Sequence, residues 1–370
     1  MISATRARLG VQLAFLQLSD VGPARGRQVA AVDDPLELWA RVRAGEPALS
    51  GVDRPLAQRW VEEASSLDPR SELERHLDAD ISMAMAGDEG YPESFVGDPR
   101  APALVLWRGA TSPGATPACA VVGTRRCSRY GRDVARMLSH DLAAEGVSVV
   151  SGLALGIDGA AHLGALEVEG SAPVGVVACG LDVAYPRRHA ALWEEVAAKG
   201  VLVSEWPLGV EPLPWRFPAR NRLIAALGEV LVVVESDFAG GSMHTVREAD
   251  DRGRQVLAVP GPVTSRSSRG TNLLISEGCA PCCDVKDVLA ALGLGAGGIA
   301  STGLTERGVP LSAVSQQGRL VLDAMGATRR SIESLLAATS LDLATLATEL
   351  LNLEGAGLVV CADGWYEAAR

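Results

Sequence analysis

The sequence predicts an α/β protein: a Rossmann-like, doubly wound parallel sheet, with a small N-terminal helical domain and a C-terminal winged-helix-like domain. Three observations carry that reading. The stretch from Cys119 to His162 reads as strand, loop, helix, strand, loop, helix. The later runs Pro173–Cys179, Val201–Ser204, Glu229–Val234 and Gln255–Val259 are almost continuously apolar, as strands covered on both faces are. Finally, 370 residues, 48% of them hydrophobic, leave room for two or three domains and a sizeable core.

The central unit opens on Cys119-Ala120-Val121-Val122-Gly123, a buried parallel strand by length and β-branching. Thr124–Ser128 turns the chain. Val134, Leu138, Leu142 and Ala143 then recur at helical spacing, and Gly146 lies just past the helix end. Val147–Val150 is the next strand, and Ser151-Gly152 and Gly156-Ile157-Asp158 lead into another helix. Upstream, a loop-rich entry holding Tyr91-Pro92 and Asp98-Pro99 precedes a strand over Leu104–Trp107.

Ligands of doubly wound sheets bind beyond the carboxyl ends of the strands, so Thr124–Ser128 and Ser151–Asp158 are expected to line one crevice. Backbone N–H groups at helix starts favour anions, phosphate above all. The spacing is not G-x-G-x-x-G, because Arg125 stands where a glycine would admit a pyrophosphate. Arg125 and Arg126 instead offer planar forks suited to phosphate, unless they simply decorate a solvated loop. Further segments follow later strands: Gly180–Arg188 with Arg187 and Arg188, Phe217–Arg222 with Arg220, Asn221 and Arg222, and Ser236–Glu248 with Gly240-Gly241-Ser242. Several arginine loops at one sheet edge repel one another unless an anion joins them. Aromatics are only 4% of the chain, so the base-stacking candidates are few: Tyr130, Tyr185 and Phe217.

Composition excludes several classes. A net charge of −11 argues against a nucleic-acid coat over the whole surface but leaves a local basic groove open. The two lysines, Lys199 and Lys286, lie outside any G-x-x-x-x-G-K-[ST], which removes a P-loop ATPase. Seven cysteines form no regular framework; Cys279, Cys282 and Cys283 lack a second ligand pair and read as thiols rather than a metal site. No cofactor and no metal is expected. No apolar run reaches membrane-span length, and Gln12 and Gln17 interrupt the first one, which reads as an amphipathic helix.

The residues themselves resemble a family. Val122-Gly123-Thr124-Arg125, Tyr130-Gly131, Val150-Ser151-Gly152-Leu153-Ala154, Gly156-Ile157-Asp158 and Ala161-His162 follow, in order, the core pattern of the DprA (Smf) DNA-processing proteins. Gly180-Leu181-Asp182, Tyr185-Pro186, Ser204-Glu205, Phe217-Pro218-Ala219-Arg220-Asn221-Arg222 and Val259-Pro260-Gly261 continue it, so the resemblance runs from about Ser82 to Leu292. It departs at Gly240-Gly241-Ser242-Met243-His244-Thr245, where many members have S-G-S-L-x-T. The resemblance implies a cytoplasmic, non-enzymatic binder of single-stranded DNA that protects incoming strands during natural transformation, loads the RecA recombinase and works as a homodimer or higher assembly. The DNA-binding residues so implied are Gly123, Thr124, Arg125, Arg126, Ser128, Tyr130, Gly152, Arg187, Arg188, Phe217, Arg220, Asn221, Arg222, Gly241 and Ser242.

An enzyme is the competing reading. Rossmann-like nucleotide phosphoribohydrolases carry P-G-G-x-G-T-x-x-E, and Thr245-Val246-Arg247-Glu248 matches its second half. The glycine half has one extra residue and lacks its third glycine. Asp158 and His162 lie on one helix face, which suits a buried histidine supporting the loop better than catalysis. Ser151 lacks the G-x-S-x-G elbow of a hydrolase nucleophile.

Four regions are expected: a helical domain of SAM or helix-hairpin-helix kind over 1–80, the core over 81–292, a Gly- and Ala-rich linker over 293–303, and the last domain over 304–370. In the first, Leu18-Ser19-Asp20-Val21-Gly22-Pro23 is either a phosphate-meeting hairpin turn or a plain Gly-Pro helix connector, and nearby Asp33 and Asp34 favour the connector. In the last, helices over Gln317–Ala324, Ser331–Ala338 and Leu341–Leu353 precede a hairpin across Ala362-Asp363-Gly364. The third helix carries Asp342 and Glu349 but no arginine, a poor match to a duplex groove.

Overall fold

The computed structural model describes residues 4–114, 117–294, 315–325, 330–339, 341–355, 359–362 and 365–368. Met1–Gly295 forms one compact unit and Ala296–Arg370 a second. Most of the expected linker, from 295 to 303, and the hairpin turn at 363–364 lie outside the described residues.

Five helices open the first unit: α1 (Ala4–Phe15), α2 (Pro23–Ala30), α3 (Pro35–Arg43), α4 (Arg54–Ala64) and α5 (Pro69–Asp78). α2, α3 and α5 start on a proline and α4 has one, Pro55, as its second residue, where a missing N–H is no loss in a first turn. Asp34, Asp53 and Asp68 cap α3, α4 and α5 by accepting backbone N–H bonds. Phe15 meets Trp39 and Trp60 edge-on, at centroid distances of 5.4 and 6.0 Å. The helices share a core with the sheet. His76 is a joint between them: Leu208 N–H donates to its Nε2 at 2.9 Å, so Nδ1 carries the proton shared with Glu72 O. Burial lowers the His76 pKa, which favours this neutral form.

The sheet has nine strands: β1 (Ser82–Met85), β2 (Leu104–Gly109), β3 (Ala118–Val122), β4 (Ser148–Ser151), β5 (Val174–Val176), β6 (Val201–Ser204), β7 (Val230–Val233), β8 (Gln255–Ala258) and β9 (Ala280–Pro281). Their spatial order is β1-β2-β6-β5-β4-β3-β7-β8-β9. From β6 to β9 every pair is parallel, while β1 and β2 add an antiparallel edge. α6 (Arg129–Ala144), α7 (Ile157–Leu166), α8 (Ala190–Lys199), α9 (Arg216–Leu227), α10 (Ser242–Asp250), α11 (Arg269–Ser276) and α12 (Val285–Ala291) cover both faces. Cys119, Val121, Val230 and Val232 face the α6–α7 core, whereas Ala120, Val122, Leu231 and Val233 face the α9–α10 core. Two buried faces explain the unbroken apolar runs. The strand order reverses between β3 and β7, which makes their carboxyl ends the switch point where a crevice opens. The strand β1 and the two-residue β9 are too short and too mixed to show as apolar runs.

In the second unit, α13 (Gln316–Met325), α14 (Ile332–Thr339) and α15 (Leu343–Gly355) pack with β10 (Arg330–Ser331), β11 (Val359–Ala362) and β12 (Trp365–Ala368). The strands pair antiparallel in the order β10-β12-β11, giving a winged helix. Asp342 and Glu349 both have structural work: Asp342 caps α15 through Thr345 N–H at 3.0 Å, and the buried Glu349 accepts from Ser315 Oγ at 2.7 Å.

Candidate nucleic-acid interface

At the switch point a cleft of about 350 Å³ opens between the loop after β3 and the start of α10. Gly123, Thr124, Arg125, Arg126, Phe217, Arg220, Asn221, Gly241 and Ser242 line it. A smaller cavity of about 70 Å³ adjoins it, shares Arg125, Phe217 and Arg220, and is closed by Tyr185 and Pro186. Nine of the fifteen sequence-selected residues therefore meet in one place.

The loop that carries the arginines is fastened at both ends. Thr124 N–H donates to Glu235 O at 2.8 Å, and Arg126 N–H to Thr124 Oγ1 at 3.2 Å. Ser128 caps α6 by accepting from Gly131 N–H at 3.0 Å. The buried Glu235 carboxylate takes Ser128 N–H at 2.8 Å, Ser128 Oγ–H at 2.6 Å and Ser267 Oγ–H at 3.1 Å. Sequence reasoning missed Glu235. Its signal was a carboxylate ending the run Leu231-Val232-Val233-Val234, a placement that a buried strand end does not tolerate without donors. A second brace is Gly156, at φ +87°, where a Cβ would lie 2.3 Å from Thr124 O.

The guanidiniums fall into distinct environments. Arg125 lies over Phe217, 4.7 Å from the ring centroid, and Tyr185 meets the same ring at 5.6 Å. Arg126, Arg187 and Arg188 are exposed and, among the described residues, their side chains have no carboxylate partner. Arg220 is buried on the cleft floor, where it donates to Val176 O while its Nε lacks a partner. Gly152 makes that possible, since a Cβ there would lie 2.3 Å from Arg220 Nη1 and 2.4 Å from Asp158 Oδ2. Burial pushes the Asp158 carboxyl up to about 6, against the pull of Arg220 and then Arg125.

Several expectations need correction. Arg222 does not join the cleft: it is buried, pairs with Glu205 and donates to Arg100 O at 2.6 Å. The reason is helical geometry, because residues two apart on α9 point about 200° apart. Ser128 is a helix cap and Gly152 a packing space, and neither lines the cleft. Tyr130 donates its hydroxyl to Pro260 O at 2.9 Å and also lies outside the lining. Arg187 and Arg188 occupy a short 3-10 turn just after Tyr185-Pro186, beside the smaller cavity rather than in it. His162 is fully buried, but neither ring nitrogen has a hydrogen-bond partner, and burial lowers its pKa to about 4. The backbone of Gly152 and Ser151 lies beside that ring and opposes the effect of burial, so the histidine supports the loop from within the core. The Gly22-Pro23 turn abuts Trp215 and serves as a connector.

A doubly wound sheet with an arginine-bearing cleft at its switch point, joined to a winged helix, defines a DNA-processing class of α/β protein. The chain belongs to the DprA family. The family described as DNA recombination-mediator protein A matches residues 82–293, and the DprA winged helix domain matches 306–364. The chain is 41% identical over 273 residues to the putative DNA processing protein DprA of Mycobacterium tuberculosis, covering 72% of this chain and 69% of that one. The X-ray structure of DNA processing protein A from Streptococcus pneumoniae superposes with a TM-score of 0.61 at 29% identity, over 77% of this chain and 94% of that chain. DNA processing protein A from Helicobacter pylori, whose structure concerns its single-stranded DNA binding mode, gives 0.52 at 30% identity, over 57% and 95%.

Proposed function

We propose that the chain is a single-stranded DNA-binding recombination mediator that acts without catalysis. The observation that carries this is the set of exposed arginines along the carboxyl edge of the sheet, Arg126, Arg187 and Arg188, which have no carboxylate partner among the described residues, together with Arg125 over the cleft. Uncompensated guanidiniums on one sheet edge store repulsion that a phosphate backbone relieves. Arg125, Arg126 and Arg220 hold phosphates, Asn221, Gly241 and Ser242 border them, and bases stack on Phe217 and Tyr185. Arg187 and Arg188 extend the track beside Tyr185.

Family membership supports the wider role: protection of incoming strands, loading of RecA during natural transformation, a homodimeric assembly and a cytoplasmic setting. No helix among the described residues is long and apolar enough to cross a membrane. The winged helix is assigned to protein contact, because α15 offers a duplex no arginine.

The hydrolase reading loses support from geometry. Glu248, its catalytic candidate, pairs with Arg252 at 2.7 Å and Arg100 at 3.3 Å and is absent from the cleft lining. Electrophoretic titration with equal-length single and double strands tests the proposal. Preference for the single strand without nucleotide or metal is expected, and equal affinity for blunt duplex overturns it. Release of base from nucleoside monophosphates would restore the enzyme.

A further inference from the structure

The cleft accounts for Phe217 and Tyr185 but not for two other aromatic rings at the same sheet edge. Trp215 is 44% exposed and Phe238 is 53% exposed. Single exposed apolar side chains are ordinary on any surface. These two differ in where the topology places them. Trp215 ends the loop that follows β6, and Phe238 lies in the loop that follows β7, three residues before the Gly241 that lines the cleft. In the strand order β6-β5-β4-β3-β7, the loops at the carboxyl edge carry, in sequence, Trp215, Tyr185, the exposed Leu155, Arg125 and Phe238. Each of these five loops thus presents an apolar surface or an arginine.

Trp215 is also held in place. It meets the buried Trp206 edge-on at 5.3 Å, and Arg216 stacks between them, 4.6 Å from the Trp206 centroid and 5.1 Å from that of Trp215. The Gly22-Pro23 turn of the helical module borders its ring, with a Gly22 Cβ position 3.6 Å from Cζ3. A ring so braced costs little entropy to use as a platform. Phe238 has a different support: its backbone N–H donates to Asp237 Oδ1 at 2.9 Å, and Asp237 is tied to Arg266 at 2.6 Å.

We infer that Trp215 and Phe238 are the two terminal stacking platforms of a base-binding track that crosses the carboxyl edge from β6 to β7, with the arginine cleft between them. This rests on the single-stranded DNA reading of the cleft and extends it from a phosphate pocket to a directional site of defined length. Four strand spacings separate β6 from β7, about 19 Å at roughly 4.8 Å each. At about 3.4 Å per stacked base the track spans some five bases. Stacking tolerates any base, so the track adds length dependence without sequence preference.

The test measures oligothymidylate affinity in the full chain, with three-nucleotide and ten-nucleotide probes, for wild type, Phe238→Ser, Trp215→Ala and Trp215→Tyr. Each loss of a platform is expected to weaken the ten-nucleotide complex by at least about fivefold. The three-nucleotide complex, too short to reach both platforms, should change by less than about twofold. The log–log salt slope should stay at its wild-type value, since no phosphate contact is lost. Trp215→Tyr keeps a stacking ring and should recover most of the affinity, which separates stacking from damage to the Trp206 packing. Phe238→Ser removes an exposed side chain and leaves the fold alone. Variants that bind the ten-nucleotide probe as wild type does, or that lose both probes equally with a flattened slope, overturn the track and leave the cleft standing. A wild-type chain that binds neither probe overturns the DNA reading itself.

Discussion

Two clusters of arginine in this molecule share a side-chain type and have opposite character. In the first, Arg100 and Arg252 interlock with Asp98, Glu248 and Asp251 at 2.7–3.3 Å, and Arg222 nearby is buried against Glu205. In the second, along the carboxyl edge of the sheet, Arg126, Arg187 and Arg188 have no carboxylate partner among the described residues, and Arg125 faces the buried Asp158. Helix α9 supplies a member to each, Arg222 to the neutralised cluster and Arg220 to the cleft. Counting arginines therefore says nothing about binding. What matters is whether the fold has already spent the carboxylates on them.

The largest effect expected from this contrast is on stability. Arg222→Ala leaves Glu205 buried and uncompensated, a loss of about 3–5 kcal/mol. Urea unfolding measures it, while the salt slope of DNA binding in the protein that remains folded should not move. Glu235→Ala comes next. It strips the acceptor from Ser128 N–H, Ser128 Oγ–H and Ser267 Oγ–H, at a cost of about 1–3 kcal/mol. It should weaken DNA binding as well, because the same carboxylate sets the arginine loop. A variant that unfolds earlier yet binds with wild-type affinity would show that the loop needs no such anchor.

Arg126→Ala inverts the pattern. Its guanidinium is exposed and unpaired, so stability should stay within about 0.5 kcal/mol of wild type. Affinity for single strands should fall roughly tenfold, about 1.4 kcal/mol, and the log–log salt slope should flatten by about 0.7. Arg126→Lys should recover more of the slope than of the affinity, because it keeps the charge without the planar fork. Unchanged affinity and slope in folded Arg126→Ala would place Arg126 with ordinary surface charge.

Much of this is legible in the sequence. Strand–helix alternation and doubly apolar strands give the sheet, and the ends of consecutive parallel strands share a side, so the loops at Thr124, Phe217 and Gly241 had to converge. Which side chains would enter the cleft was harder to read. Arg220 and Arg222 look equivalent in sequence, and only the angular offset of a helix separates them. Ser128 and Gly152 lie within the right loops, yet one closes a helix end and the other clears space for Arg220. Glu235 shows in sequence only as a carboxylate ending an apolar run, because its donors come from two distant residues, Ser128 and Ser267. Trp215 and Phe238 were passed over because exposure, not residue type, distinguishes them from core rings.

The smallest expected effect concerns the acid on the cleft floor. Asp158 lies beneath Arg220 and Arg125, and burial, opposed by both, holds its carboxyl near 6. At pH 7.5 it is ionised and repels an approaching phosphate; at pH 5.5 it is largely protonated and does not. Single-strand affinity should therefore rise on acidification, by several-fold and by less than about tenfold. The sign for stability is the same. A carboxyl whose folded pKa exceeds its unfolded value of 3.8 contributes stability that is fully present below that value and lost as pH rises through about 6. His162 works in the opposite direction, its depressed pKa giving stability that is present above 6.5 and lost as pH falls through about 4. Asp158→Asn keeps His162 in the core and His244 on the cleft wall, so it isolates the carboxyl's share. It should be more stable than wild type at pH 7.5, bind single strands more tightly there, and lose most of the affinity gain between pH 7.5 and 5.5. If the variant gains as much on acidification as wild type, the phosphate does not pass over Asp158, and the DNA path must run along the Arg187 side of the cleft instead.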